Sequence, residues 1–268
     1  MSISSTNTSP YCPLELNGKK GLVLGVANHR SIAWTVAEQL IKYGADIGIS
    51  VLDERAAKKS QILLDSQSNG FLLQCDLRNQ AQVSRLISQA TDQFGQLDFI
   101  IHSVAFAHID DLKNPISECS QSGYLDAMEV SAYSLLSMVN ACRSLLSPGA
   151  SIVTLSYLGG EVAIPSYGIM GPVKAALEAE ARYLAAELGP QNIRVNVVSA
   201  GPLKTLAASA IPGFRQHLKE ANQSTPLQRG VTHHEVAHTI CFLCSPMSSG
   251  ITGETIHVDA GRHAVRQF

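Results

Sequence analysis

Short apolar runs bounded by polar residues and glycine recur along the chain. Between them lie stretches whose apolar positions fall three and four apart. The runs at 19–25 (KKGLVLG), 45–51, 71–75, 97–102, 151–155, 193–198 and 254–258 are largely apolar, as expected of buried parallel strands. The helical period predicts helices over 32–44, 53–66, 79–94, 116–146 with breaks near Gly123, and 166–188. Strands alternating with helices imply one parallel sheet covered on both faces and wound by right-handed crossovers. No internal repeat, low-complexity block or linker splits the pattern, so a single seven-stranded α/β domain is expected over 16–268. Ligands of such sheets bind beyond the carboxyl ends of the strands. The residues there are Gly25, Asp53, Asp76, Ser103, Val104, Ala105, Ser156, Tyr157 and the stretch 201–205.

Composition narrows the picture. At 268 residues the chain is long enough for a large single core. A net charge of −2 calls for neither nucleic acid nor an anionic membrane as partner, and no apolar run approaches the roughly 20 residues of a membrane span. The Ser- and Thr-rich start, MSISSTNTSPYCP, lacks Lys, Arg and an apolar core. It reads as a disordered tail over 1–15 rather than a targeting signal. The cysteines at 12, 75, 119, 142, 241 and 244 are scattered through apolar segments, which suits reduced thiols in a cytosol better than a disulfide framework.

Two stretches carry candidate chemistry. In the first, Gly25 to Ser31 joins a strand to a helix N-terminus, where backbone amides face an anion such as a pyrophosphate. The three-glycine fingerprint is missing and the turn is longer than that motif allows. The second is SYLGGEVAIPSYGIMGPVKAALEA, at 156–179, with Tyr157, Tyr167 and Lys174. If a helix starts at Ser166, Tyr167 and Lys174 project from one face about 10.5 Å apart along its axis. Ser166 would cap this helix, and Pro172 would bend it slightly. A phenol and an ammonium on one face can donate to an oxygen that gains charge during reaction. The plainer reading is a packed tyrosine with an unrelated solvated lysine.

With these residues in view, the chain resembles the type I enoyl-acyl-carrier-protein reductases, a divergent branch of the short-chain dehydrogenase/reductase superfamily. The likeness runs from about Leu16 to about Gly261. It is carried by GVANHRSIA at 25–33, CDL at 75–77, HSVAFA at 102–107, EVSAYS at 129–134, LSYLG at 155–159, YGIMGPVKAALE at 167–178, RVNVVSAGPLKTLAAS at 194–209, FLCS at 242–245 and ITGETIHVDAG at 251–261. Its most specific mark is Tyr-x6-Lys. Ordinary superfamily members use Tyr-x3-Lys, and this chain has Met170 four residues before Lys174.

The resemblance implies a Rossmann-like doubly wound fold and reduction of the trans-2 double bond of enoyl thioesters, carried by acyl carrier protein, in fatty acid elongation. It further implies that Gly25, Ser31 and Ile32 hold the cofactor pyrophosphate, that Leu52 and Asp53 lie near the adenosine ribose, and that Asp76 and Leu77 lie at the adenine. Ser103 and Val104 would adjoin the nicotinamide, Lys174 would hold its ribose, and Leu203, Lys204, Thr205, Leu206 and Ala207 would close over the cofactor. Tyr167 would donate to the thioester oxygen, with Tyr157, Ala107 and Met170 lining the acyl pocket. The resemblance also points to a homotetramer, to which the helices expected over 129–140 and 178–188 would contribute their second apolar faces. The stretch 203–222 would form a substrate lid, whose Arg215, His217 and Lys219 could attract an acidic carrier. Ala105, Ala260 and the run Gln228-Arg229-Gly230 depart from the commonest family pattern.

Cofactor choice turns on Asp53, because an acid at that strand end repels a 2′-phosphate and accepts from a ribose hydroxyl. NADH is therefore expected over NADPH, with Arg55 as the counter-signal. Rival readings are a ketone or alcohol oxidoreductase of the same superfamily, a silent dinucleotide-binding regulator, and a zinc peptidase. The last rests on His234-Glu235-Val236-Ala237-His238, an H-E-x-x-H pattern with no third-ligand signature. Cys241 and Cys244, spaced C-x-x-C among apolar neighbours, read as buried structural thiols, and His102 as a structural histidine. No metal site is expected.

Overall fold

The computed structural model describes residues 14–64, 70–165, 167–205 and 214–265, with some side chains of the segment 214–222 also outside the description. Seven strands, β1 (Lys20–Leu24), β2 (Asp46–Val51), β3 (Phe71–Gln74), β4 (Leu97–His102), β5 (Leu146–Ser156), β6 (Arg194–Ala200) and β7 (Thr255–Val258), form one sheet in the order 3-2-1-4-5-6-7. Every pairing is parallel, so all carboxyl ends lie along one edge. The order reverses between β1 and β4, which opens the crevice where doubly wound sheets bind ligands. The expected Rossmann-like architecture is the observed one.

The strands read as continuous apolar runs because both sheet faces are covered. Leu22, Leu24, Ile100, Ile152, Val195 and Val197 pack on one face against α3 (Gln80–Phe94), α6 (Ser134–Cys142) and α7 (Met170–Leu188). Val23, Ile47, Ile49, Phe99, Ile101, Val153 and Val198 point the other way, against α1 (Ile32–Lys42), α2 (Glu54–Ser60) and α9 (His233–Cys244). The remaining helices are α4 (Ile109–Lys113), α5 (Gln121–Met128) and α8 (Phe214–Gln223). Among the described residues no helix is long and apolar enough to cross a membrane.

Several expected boundaries move. The helix read over 53–66 is α2 followed by a 3₁₀ turn, Gln61–Leu63, with Asp53 as its N-cap. Gly123 lies inside α5 rather than at a break: its missing side chain leaves room for the Asp111 carboxylate, which accepts from the Ser120 amide at 2.8 Å. The irregularity comes later, as a turn of π-helix at Glu129–Tyr133 between α5 and α6.

The most consequential correction concerns α7, which begins at Met170 and not at Ser166, a residue outside the described ones. Gly168 takes φ +52°, at a place where a Cβ would lie 3.3 Å from the Asp111 carbonyl oxygen, and this left-handed turn interrupts any helix between Tyr167 and Met170. Tyr167 and Lys174 therefore do not share a helix face. Pro172 falls in the first turn of α7, where a missing N–H leaves no helical hydrogen bond unmade, so the expected bend has no cause there. The tail 1–13 and the part of the lid at 206–213, with Leu206 and Ala207, lie outside the described residues.

Candidate active site

The site is assembled where β1, β4, β5 and β6 end. Gly25 closes β1 with φ +83°, and a Cβ there would overlap the Ser103 carbonyl and sit 3.0 Å from Val104 Cγ2. Only glycine lets the turn after β1 meet the end of β4 so closely. The turn itself is built by Asn28, a buried residue the sequence reading did not single out. Its Oδ1 accepts from the Arg30 amide at 2.8 Å, and its carbonyl accepts from the Ser31 amide and hydroxyl. Ser31 caps α1, accepting from the Trp34 amide at 3.2 Å, with Ile32 as the first helical residue. The helix amides thus face the crevice, as an anion site requires, although the three-glycine spacing is absent.

Toward the outer edge, Leu52 is 61% exposed beside Asp53. The Asp53 carboxylate caps α2 through the Ala56 amide at 2.7 Å. Asp76, after β3, holds Arg78 through two side-chain hydrogen bonds at 3.1 and 2.8 Å, and this bonding depresses the carboxyl pKa. Leu77 is partly buried against the core.

At the inner end, Val104, Ala107 and Tyr167 are partly buried against the core cluster that contains Met170. The segment after β4 is clamped by Ser131 of the π-turn: its hydroxyl accepts from the Phe106 amide at 2.8 Å and donates to the Phe106 carbonyl at 3.0 Å. His102, fully buried, ties β4 to its neighbours through Thr154 Oγ1 at 3.0 Å and Ser134 Oγ at 2.8 Å. Ser134 spends its proton on the Val130 carbonyl, so His102 donates to it from Nε2. Burial, reinforced by the Lys174 charge, lowers its pKa to about 3, so it stays neutral and structural.

Tyr157 follows β5, and its ring meets that of Tyr167 edge to face at 4.8 Å between centroids. A Cβ at Gly159 would overlap the Tyr167 ring, so the Leu158–Gly160 turn makes the seat on which that ring lies. Burial, then the neighbouring Tyr157 and Glu178, push the Tyr167 phenol well above its ordinary range, so it keeps its proton. Lys174 is 5% exposed and donates to the Leu155 carbonyl at 2.7 Å. Burial brings its pKa down to about 8, against the upward pull of Glu178. Beyond β6, Leu203 is buried, Lys204 is exposed and Thr205 donates its amide to the Leu203 carbonyl at 2.8 Å.

The rival motif has other work. Glu235 completes a capping box with Thr232 and takes both guanidinium nitrogens of Arg229, at 2.7 and 3.1 Å, which lowers its pKa to about 2. Cys241 and Cys244 are buried free thiols whose pKa values burial pushes up.

Comparison with known proteins points to one family. The model of a family described as enoyl-(acyl carrier protein) reductase matches residues 25–263. The chain belongs to that family. The NADH-dependent enoyl-acyl-carrier-protein reductase of Nostoc is 47% identical, covering 92% of this chain and 97% of its own. An NADPH-dependent one from Staphylococcus aureus is 43% identical over 94% of this chain and all of its own length. Among solved structures, the Aquifex aeolicus NADH-dependent reductase superposes with a TM-score of 0.90 at 36% identity, covering 94% of this chain and 99% of that one. The Anaplasma phagocytophilum enzyme in complex with NAD gives 0.89 at 38% identity, covering 94% and 96%. Relatives of the family thus carry both cofactors in their names, which turns attention back to Asp53.

Proposed function

We infer that this chain reduces the trans-2 double bond of enoyl thioesters carried by acyl carrier protein, using NADH, as a step of fatty acid synthesis. The observation that carries the reading is the arrangement at the end of β5. A half-buried, protonated Tyr167 phenol lies on Tyr157, and the Lys174 amine is anchored at the Leu155 carbonyl of the same strand end. When bound, the reduced nicotinamide supplies the hydride, delivered to the β-carbon of the thioester. Negative charge then builds on the thioester oxygen, and the Tyr167 hydroxyl donates to it. Because the phenol holds its proton firmly, it acts as a hydrogen-bond donor to the enolate rather than as a strong acid. Lys174 uses one of its three donors on Leu155 and has others for the nicotinamide ribose hydroxyls.

Gly25, Ser31 and Ile32 frame the pyrophosphate; Leu52, Asp53, Asp76 and Leu77 frame the adenosine. Ser103 and Val104 flank the nicotinamide, Leu203, Lys204 and Thr205 adjoin the cofactor, and Tyr157, Ala107 and Met170 line the acyl pocket. These residues fit the cofactor: the amides of the α1 N-terminus suit its pyrophosphate, and the exposed Leu52 offers an apolar surface near the adenosine. Asp53 favours a free ribose hydroxyl over a 2′-phosphate. The enzyme acts in the cytoplasm as a homotetramer. Tyr124, Leu125, Tyr133 and Tyr183 stand exposed on α5, the π-turn and α7.

The test is NADH oxidation with a short trans-2-enoyl thioester, run beside a 3-ketoacyl thioester and repeated with NADPH. The expected result is turnover of the enoyl substrate with a higher kcat/KM for NADH. Preference for the ketoacyl substrate would make the chain a carbonyl reductase, and preference for NADPH would remove the role given to Asp53.

A further inference from the structure

Glu178 is a buried carboxylate that the mechanism above does not use. It is 5% exposed and lies one helical turn after Lys174 on α7, so the two share a helix face. Its Oε1 accepts from the Ser156 hydroxyl, and a Cβ at Gly160 would come within 2.6 Å of the same oxygen. Two consecutive residues at the end of β5 are therefore tied to two consecutive turns of α7. The Leu155 carbonyl accepts from Lys174, and the Ser156 hydroxyl donates to Glu178.

We propose that Glu178 is a positioning residue that acts through Lys174, keeping the amine cationic and seated on the Leu155 carbonyl while Ser156 fixes the carboxylate. A buried ammonium with one carbonyl partner loses much of its hydration, and a carboxylate one turn away offsets that loss. The groups facing the pair are His102 of β4, Tyr167 ahead of α7, Arg182 of α7, Glu161 and His257. Glu161 is already engaged by His257 at 2.6 Å. His102 stays neutral and Tyr167 stays protonated across the working range, so neither accounts for a titration near pH 8, where Lys174 loses its proton. The inference rests on Lys174 as the anchor of the nicotinamide ribose.

The experiment measures NADH dissociation constants by nicotinamide fluorescence on the full chain from about pH 6 to about pH 10. Wild type should lose affinity as pH rises through about 8. Glu178→Gln keeps the volume and the acceptor for Ser156 but removes the charge. Its alkaline limb should move about one unit toward acid. Ser156→Ala strips the donor that favours the ionised carboxylate and should move the limb the same way by less. A limb present in wild type and unmoved, or moved toward alkali, in both variants overturns the role of Glu178 and leaves that of Lys174 standing. If wild type binds no NADH, or binds it with no alkaline limb, the role of Lys174 fails first, and with it the inference. Should Glu178→Gln not fold, judged by its thermal transition, the direction seen in Ser156→Ala decides alone.

Discussion

Tyr157 and Tyr167 touch, but their surroundings give them different work. Tyr167 lies on the Gly159 seat with its phenol pushed far up by burial, whereas Tyr157 is nearer the charges of Arg262 and Asp259. Tyr167→Phe preserves the ring contact and removes one donor, so kcat should fall about 10²–10³-fold while NADH affinity stays near wild type. Lys174→Ala should weaken NADH binding as well as turnover. Single-turnover rates and NADH fluorescence titrations on both variants check the assignment. A larger loss in Tyr157→Phe than in Tyr167→Phe would move the donor to the other tyrosine. Ala260 is the residue-scale oddity. It takes φ +60°, a region that costs an L-residue with a Cβ. Ala260→Gly should therefore stabilise the protein by roughly 0.5–1 kcal/mol, strain relief exceeding the added chain entropy. A denaturant midpoint that falls instead would show that no strain is stored there.

At the scale of elements, helix ends serve two purposes at once. Asp53 caps α2 and is also the residue proposed to set cofactor choice. The two roles separate by substitution. Asparagine caps about as well as aspartate, so Asp53→Asn should leave stability within a few tenths of a kcal/mol yet reduce the preference for NADH over NADPH by roughly fivefold. Asp53→Ala should show the same loss of preference and a further drop of about 1 kcal/mol in stability. Steady-state kinetics with both cofactors, read beside urea melts, distinguishes a cap from a selectivity residue. The π-turn before α6 is the other element with a task. Its Ser131 holds the Phe106 backbone from both sides, and so sets the path of the segment that carries Val104 and Ala107.

For the whole molecule, the question is what covers the exposed side chains of α5, the π-turn and α7. Tyr183 is 80% exposed and Tyr133 57%, more than aromatic groups commonly show on a lone chain's helices. Light scattering at working concentration should return the mass of four chains, and Tyr183→Arg should lower it by placing a charge in the packed seam. A wild-type monomer, or a variant with unchanged mass, would put the subunit contacts elsewhere.

All seven strands and their order of appearance were legible in the sequence. Buried parallel strands are short apolar runs, and that pattern is local to each run. The same holds for Gly25 and for the Tyr-x6-Lys spacing, which the family likeness made specific. What the sequence could not decide is contact between residues far apart in the chain. Tyr167 left the helix expected to hold it because Gly168 turns left-handed beside the Asp111 carbonyl, more than fifty residues earlier. His102 found Thr154 and Ser134, Phe106 found Ser131, and Ser156 found Glu178. Each is a buried polar group that must be paired, and only the packed sheet and helices determine with whom.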